Sequence, residues 1–476
     1  MIKEKFSLKM INIILFSSLF FGLTIQAEEK HHEKQPNILF IFADDLGWGD
    51  LSLHGSKTIE TPNLDKLASE GSEFYQFSVA NPVCSPSRAA VITGQSSARN
   101  NIHHHFASTE HHQKFAMPDW LDTSVVTIPK VLKNAGYKTA HFGKWHLTNS
   151  HIPDAPTLDQ YGYDESAVFN GPGKQTDAVA VYNDTIKFIN KNKDNPFFIN
   201  LWIHEPHTPH YPDPKFLKKY AHLEEQEQIY AAVVSGADAQ IGRVLKALED
   251  NGIDDNTLVI FSSDNGPEKA GDVNHRYLYG DPDAKVAGRE PLGRYFSVGS
   301  AAGLRGGKRD TYEGGVRVPL IARWPENIPV GVVNTSSVVS AVDFLPTFAE
   351  IAGAKLPENY TSDGESIVPL LKGEFVTRKK PVFWEWYFNG IETDADYDKS
   401  MLVVRKDEWK LFLDRTHNKV ELYNLKYDRN EVNNTAQKYP DKVNQLKKLV
   451  LDWKQTLPRA PVENAFSSLR NNPSER

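Results

Sequence analysis

A chain of 476 residues exceeds what one minimal core needs and suggests a larger and a smaller domain. Its 40% hydrophobic residues, 11% aromatics and 28 prolines belong to an ordinary globular protein and exclude the fibrous and disordered classes. The formal net charge of −7 argues against a general nucleic-acid binder, so an anionic substrate would have to meet a local cationic pocket.

The chain opens "MIKEKFSLKMINIILFSSLFFGLTIQAEE". Lys3, Lys5 and Lys9 give a basic start, Ile11 to Ile25 an apolar run, and Ala27 a small residue for cleavage. That is the pattern of an export signal over residues 1–27. The run is short for a membrane span and the flank "EEKHHEKQ" is linker-like. The expectation is cleavage near Glu28, no stable membrane insertion, and a periplasmic, secreted or surface-associated mature protein. Cys84 is the only cysteine, so no internal disulfide can form. The ordinary reading of such a residue is a buried, inert thiol.

Four apolar runs have the length and content of buried parallel strands: "NILFIFADD", "KTAHFGKWH", "PFFINLWIHEPH" and "NTLVIFSSDNG". Between them lie helical segments: "TPNLDKLASEG" with Thr61-Pro62 as a cap, "TIPKVLKNAGY", "AVAVYNDTIKFINKN" and "QIYAAVVSGADAQIGRVLKALEDNG". This alternation predicts an α/β domain over 28–375, a mainly parallel central sheet flanked by helices. Pro267 to Arg305, glycine-rich and charged, reads as a long active-site loop. Beyond about 375, "PVFWEWYF", "SMLVVRKDEWKLFLD" and "KVELYNLKYD" predict antiparallel strands, followed by an amphipathic helix around Lys442 to Leu457. Residues 376–476 are therefore expected to form a smaller C-terminal α+β domain.

Each long run ends in chemically capable residues: Asp44-Asp45, Lys144 and His146, His204 and His207, Asp264-Asn265. Ligands of open α/β sheets bind at the carboxyl ends of the strands. Three carboxylates and an amide gathered there would call for a divalent cation, Ca²⁺ in preference to Mg²⁺ for so many protein oxygens. Arg88, Lys144, His146, His207 and Lys308 could converge on the same place and suit a tetrahedral oxyanion such as sulfate or phosphate. The alternative for each cation is a solvated surface charge. Cys84 precedes a helix through "SPSRAAVITGQ", where the macrodipole and Arg88 would lower its pKa. Soft sulfur nevertheless mismatches a hard cation.

"CSPSRAAVITG" resembles the Cys-x-Pro-x-Arg signature of the formylglycine-dependent (type I, arylsulfatase-like) sulfatases of the alkaline phosphatase superfamily. The likeness continues in order through "NILFIFADDLGWGDLSLHG", "TPNLDKLASEG", "GYKTAHFGKWHL", "FFINLWIHEPHTP", "SSDNGP" and "GLRGGKRDTYEGGVRVPLIARWP". It implies an alkaline-phosphatase-like fold and a sulfuric ester hydrolase. It implies oxidation of Cys84 to Cα-formylglycine (3-oxoalanine) by a maturation enzyme, and Ca²⁺ held by Asp44, Asp45, residue 84, Asp264 and Asn265. Arg88 and Lys144 would hold the nucleophile, His207 with Lys308 would protonate the leaving oxygen, and His146 would take the proton that releases sulfate. The expected substrate is a sulfated carbohydrate, from polysaccharide-derived oligosaccharides, with His105, Trp120, His210, His275 and Arg294 as subsite candidates. The histidine-rich stretch from His103 to His105 could equally be an exposed, solvated loop. The alternatives are a phosphate or phosphonate monoester hydrolase, or an inactive protein that binds sulfated glycans.

Overall fold

A computed structural model describes residues 35–170, 178–208, 210–268, 297–388 and 401–470. The expected signal segment 1–27 lies outside the described residues, as do His275, Arg294 and most of the glycine-rich loop. The strands are β1 (Asn37–Asp44), β2 (Ser72–Phe74), β3 (Phe77–Ser78), β4 (Lys138–Lys144), β5 (Glu165–Phe169), β6 (Phe197–Pro206) and β7 (Thr257–Ser263). They continue as β8 (Leu320–Arg323), β9 (Val332–Asn334), β10 (Val339–Ser340), β11 (Val382–Trp386), β12 (Met401–Lys406), β13 (Trp409–Asp414) and β14 (Val420–Asn424).

The central sheet has eight strands in the order β5-β4-β6-β1-β7-β8-β2-β9. From β5 to β7 every pairing is parallel, with Phe42 opposite Trp202 and Ala43 opposite Ser263. The carboxyl ends of β1, β4, β6 and β7 therefore share one edge. Strand β8 runs antiparallel to β7 and extends the sheet through β2 and β9.

All eight residues of β1 are buried, which is why its sequence is an unbroken apolar run. Alternation then divides them between two cores. Ile38, Phe40 and Phe42 join the helices Cys84–Thr93, Ile128–Asn134 and Phe344–Ile351; Leu39, Ile41 and Ala43 face Ala178–Asn192 and Glu225–Asp250. Gly94, left-handed at φ 61°, stops the Cys84–Thr93 helix as the sequence predicts. Thr61 departs from expectation: its hydroxyl donates to Asp65 and makes no cap bond to the Pro62–Ser69 helix.

The second sheet, β11-β12-β13-β14, is antiparallel throughout. One face puts Trp384, Val403 and Phe412 into the core shared with Phe40; the other packs Leu402, Val404 and Leu413 on Leu446, Val450 and Trp453 of the helix Pro440–Gln455. Residues Gln35 to Arg476 form one compact unit. No helix among the described residues is long and apolar enough to cross a membrane.

Candidate active site at the carboxyl edge of the sheet

Asp44 ends β1, and Asp45 turns the chain in the left-handed region at φ 66°. The Asp45 amide donates to Asp264 Oδ1 (3.1 Å), the Leu46 amide to Ser263 Oγ (3.0 Å), and Asn265 Nδ2 to Asp45 Oδ1 (2.7 Å). These bonds join the ends of β1 and β7 and gather their oxygens. Ligand atoms of Asp44, Asp45, Cys84 and His207 all lie within 4.8 Å of one another. Cys84 is the first residue of its helix, with Sγ 3.6 Å from Asp44 Oδ1.

Each carboxylate has its own cation. Lys144 Nζ lies 2.5 Å from Asp44 Oδ2 and Lys308 Nζ lies 2.6 Å from Asp45 Oδ2. Arg88, fully buried, donates to Asp264 Oδ2 through Nε (3.0 Å) and Nη2 (2.7 Å). Its guanidinium also sits over the rings of Trp202 and Phe42, 5.1 and 5.6 Å from their centroids. Lys144 reaches the edge because Gly143, at φ 104°, lets β4 press on β6; a Cβ there would stand 2.0 Å from the Trp202 carbonyl oxygen.

Burial alone would push these carboxyls up, yet Lys308 and His207 outweigh it at Asp45 and hold it at about 2. At Asp264 burial prevails over Arg88 and the carboxyl is raised. Burial disfavours the charged form of both lysines, but Asp44 raises Lys144, and Asp45 raises Lys308 well above the ordinary value. The thiol departs from the sequence expectation. Burial pushes Cys84 up to about 12, and Lys144 and Lys308 offset only part of that. Desolvation exceeds the pull of a helix terminus and favours the thiol over the thiolate, and sulfur is a poor partner for a hard cation.

His146 is placed by a relay. The Phe106 amide donates to Ser85 Oγ (3.0 Å), and His146 Nε2–H donates to the Phe106 carbonyl (2.9 Å). A carbonyl can only accept, so the neutral ring carries its lone pair on Nδ1, which is buried and has no partner among the described residues. Burial and Lys144 hold this ring well below the usual histidine range. His207 Nδ1 bonds the Thr208 carbonyl, leaving Nε2 3.7 Å from Asp45 Oδ2. Burial and Lys308 lower it well below the usual range, with Asp45 opposing them. With 15% of its side chain exposed, against 6% for Lys308, it looks outward from the cluster.

The structure thus brings together Asp44, Asp45, Cys84, Arg88, Lys144, His207, Asp264, Asn265 and Lys308, with His146 beside them. Among the subsite candidates, the His105 ring lies 6.3 Å from that of His146. His210 is buried under the loop after β6, its Nε2 on the Pro206 carbonyl (2.9 Å), and burial holds it at about 4. Trp120 is not joined to the cluster: its ring packs in a small apolar group with Ile152 and Ala465. His103 and His104 are buried, so the solvated-loop alternative for them is corrected. Sequence reasoning missed Ser85, whose hydroxyl holds the Phe106 amide, and Phe106, which acts on His146 through backbone groups that leave no residue-type signal. It also missed Glu268, which pairs with Arg309 and stands 3.5 Å from Lys308.

The donors fit a hard cation. Asp44, Asp45 and Asp264 supply carboxylate oxygens, and Asn265 Oδ1 is a buried acceptor with no partner among the described residues although its Nδ2 is bonded twice. Carboxylates and cations interleaved at the edge of an open α/β sheet suit a divalent cation beside a tetrahedral oxyanion ester. The Sulfatase family model matches residues 36–354 and the model "N-sulphoglucosamine sulphohydrolase, C-terminal" matches 306–456; the chain belongs to the sulfatase family, within the alkaline phosphatase superfamily. It is a sulfuric ester hydrolase. Human N-acetylgalactosamine-6-sulfatase is 32% identical over 393 residues, covering 73% of this chain and 68% of that protein. A sulfatase of Formosa agariphila is 30% identical, covering 91% and 90%. The solved structure of Ps i-CgsB in complex with k-i-k-neocarrahexaose is 26% identical, with a TM-score of 0.73 over 90% of this chain and 95% of that one.

Proposed function

We propose that this sulfatase removes sulfate from a sulfated carbohydrate, of the oligosaccharide kind, and does so as an exported protein whose Cys84 has been oxidised to formylglycine by a maturation enzyme. The observation that carries the reading is the position of Cys84 Sγ, 3.6 Å from Asp44 Oδ1 among oxygen donors. Sulfur is the wrong element there, and an oxygen at the same position is the right one. The oligosaccharide bound to Ps i-CgsB and the amino-sugar sulfatase among the relatives support the substrate class. The basic and apolar opening of the chain supports export.

Asp44, Asp45, Asp264 and Asn265, with an oxygen on residue 84, would hold Ca²⁺, whose charge would acidify the reacting hydroxyl and offset that of the sulfate group. A hydrated aldehyde at residue 84 would supply one hydroxyl to take the sulfuryl group as the alcohol leaves, and a second whose deprotonation would re-form the aldehyde and release sulfate with the first oxygen. Lys144 and Arg88 fix the position of the first and keep positive charge beside it. Lys308 and His207 Nε2 face the ester, and an anionic ester favours the protonated imidazolium that donates to the leaving oxygen. His146 Nδ1, already an acceptor without a partner among the described residues, takes the proton of the second hydroxyl.

The test is a release assay over defined sulfated oligosaccharides with phosphate-ester controls. Sulfate release from a carbohydrate with phosphate esters inert is the expected result. Preferential phosphate release would favour the phosphate or phosphonate esterase, and glycan binding without release would favour an inactive binder.

A further inference from the structure

The stretch "NNIHHHFASTEHH" folds back on itself beside the active site. Ser108 caps the helix Thr109–Lys114, accepting from the His111 amide at 3.3 Å, and this turn returns His111 to His104 and His105. Ring nitrogens of the three residues all lie within 4.8 Å of one another. His111 Nε2 and His104 Nδ1 stand 3.2 Å apart. The two nitrogens share a hydrogen bond; metal–nitrogen bonds of about 2.0–2.1 Å in a tetrahedral site put neighbouring ligands roughly 3.4 Å apart, so an ion could replace the shared proton with little movement of the rings.

The rings are also held for the purpose. His104 is stacked between Phe115 (4.2 Å) and Trp386 (5.0 Å). His111 packs on the same Phe115, with ring centroids 4.8 Å apart. Two of the nearby cations have partners of their own, Arg309 bidentate on Glu268 and Lys308 paired with Asp45, while Lys114 lies over the Phe115 ring.

We propose that His104, His105 and His111 form a second metal site, for a borderline dication of the zinc class, distinct from the all-oxygen cluster. Imidazole nitrogens prefer such ions, whereas Ca²⁺ prefers the carboxylates. Three protein ligands leave a fourth position open for water or an anion. With His105 6.3 Å from His146, an ion held here stands in the wall of the active site, and Zn²⁺ lowers turnover by fixing His105 and adding charge beside the base.

The experiment uses the full chain in excess Ca²⁺, which saturates the oxygen cluster. Zn²⁺ binding is measured by equilibrium dialysis for the wild type, His111→Ala and His105→Ala, and Co²⁺ is substituted to read the coordination spectrum. The wild type should bind one Zn²⁺ that both variants bind on the order of tenfold or more weakly. Its Co²⁺ form should show intense bands of a four- or five-coordinate nitrogen site. Equal Zn²⁺ affinity and stoichiometry in all three proteins overturns the proposal. Should the variants fail to fold, the wild-type spectrum decides: weak bands of a six-coordinate oxygen site overturn it equally.

Discussion

Arg88→Ala tests the electrostatic frame of the site directly. Arg88 and Asp264 are both fully buried and joined by two short bonds, so truncation strands a carboxylate in a dry interior. Removing one partner of such a pair costs about 3–5 kcal/mol, and loss of the stacking on Trp202 and Phe42 adds roughly 1 kcal/mol. At about 2.1 cal/mol/K of unfolding entropy per residue, a chain of this length loses roughly 1 °C per kcal/mol, so a fall of about 4–6 °C is expected. Thermal and urea unfolding, followed by tryptophan fluorescence in chelator, measure it. Because Asp264 is raised by burial even with Arg88 present, its carboxyl should become protonated more readily without Arg88. The penalty should therefore be largest at pH 8 and shrink towards pH 5. Added Ca²⁺ should also shrink it by neutralising Asp264. A variant within about 1 kcal/mol of the wild type at pH 8 in chelator would refute the view that Arg88 is the counter-charge of Asp264.

Cys84→Ala should abolish sulfate release while costing only about 1 kcal/mol of stability, and mass spectrometry of the residue-84 peptide from active wild type should show the aldehyde; a wholly unmodified cysteine there defeats the mechanism. Chelation should remove activity, and Ca²⁺ should restore it together with about 2.7 kcal/mol of stability at a hundredfold excess over its dissociation constant, so full activity in metal-stripped protein counts against the metal. His141 is buried among Trp145, Tyr163 and Trp202 with Nε2 on the Lys144 carbonyl (3.1 Å), and burial lowers it to about 3. Its folded pKa lies below the unfolded value, so its contribution is complete above about pH 6.5 and is lost as pH falls towards 3. His141→Gln, which cannot protonate there, should reduce the slope of stability against pH in that window by about 1.4 kcal/mol per unit, read from denaturant midpoints; an unchanged slope contradicts the assignment.

Strands β1, β4, β6 and β7 were legible because burial on both faces makes a continuous apolar run, and each run ends in the residues it delivers to the edge. Strands β2, β8 and β9 were not, since three or four residues carry no measurable periodicity. The partners of Arg88 were legible as types but not as pairs, because Asp264 is 176 residues away along the chain. Cys84 misled for a different reason. Helix position and a neighbouring arginine are visible in sequence, whereas the desolvation that outweighs them depends on everything packed around the thiol. Trp120 shows the same limit: an aromatic residue near the site in sequence filled a separate apolar group in space.

The burial of Cys84 also sets a clock on biosynthesis. At 3% exposure in a helix buried throughout, the residue cannot enter the catalytic cleft of another enzyme once the sheet has closed. Closure needs Asp264, and at about 5–20 residues per second the chain between Arg88 and Asp264 takes roughly 10–35 s to synthesise. On the proposed conversion, a catalyst that oxidises Cys84 would compete with folding. Slowing translation or folding should raise the active fraction, while chain refolded without prior conversion should stay inactive however native its structure.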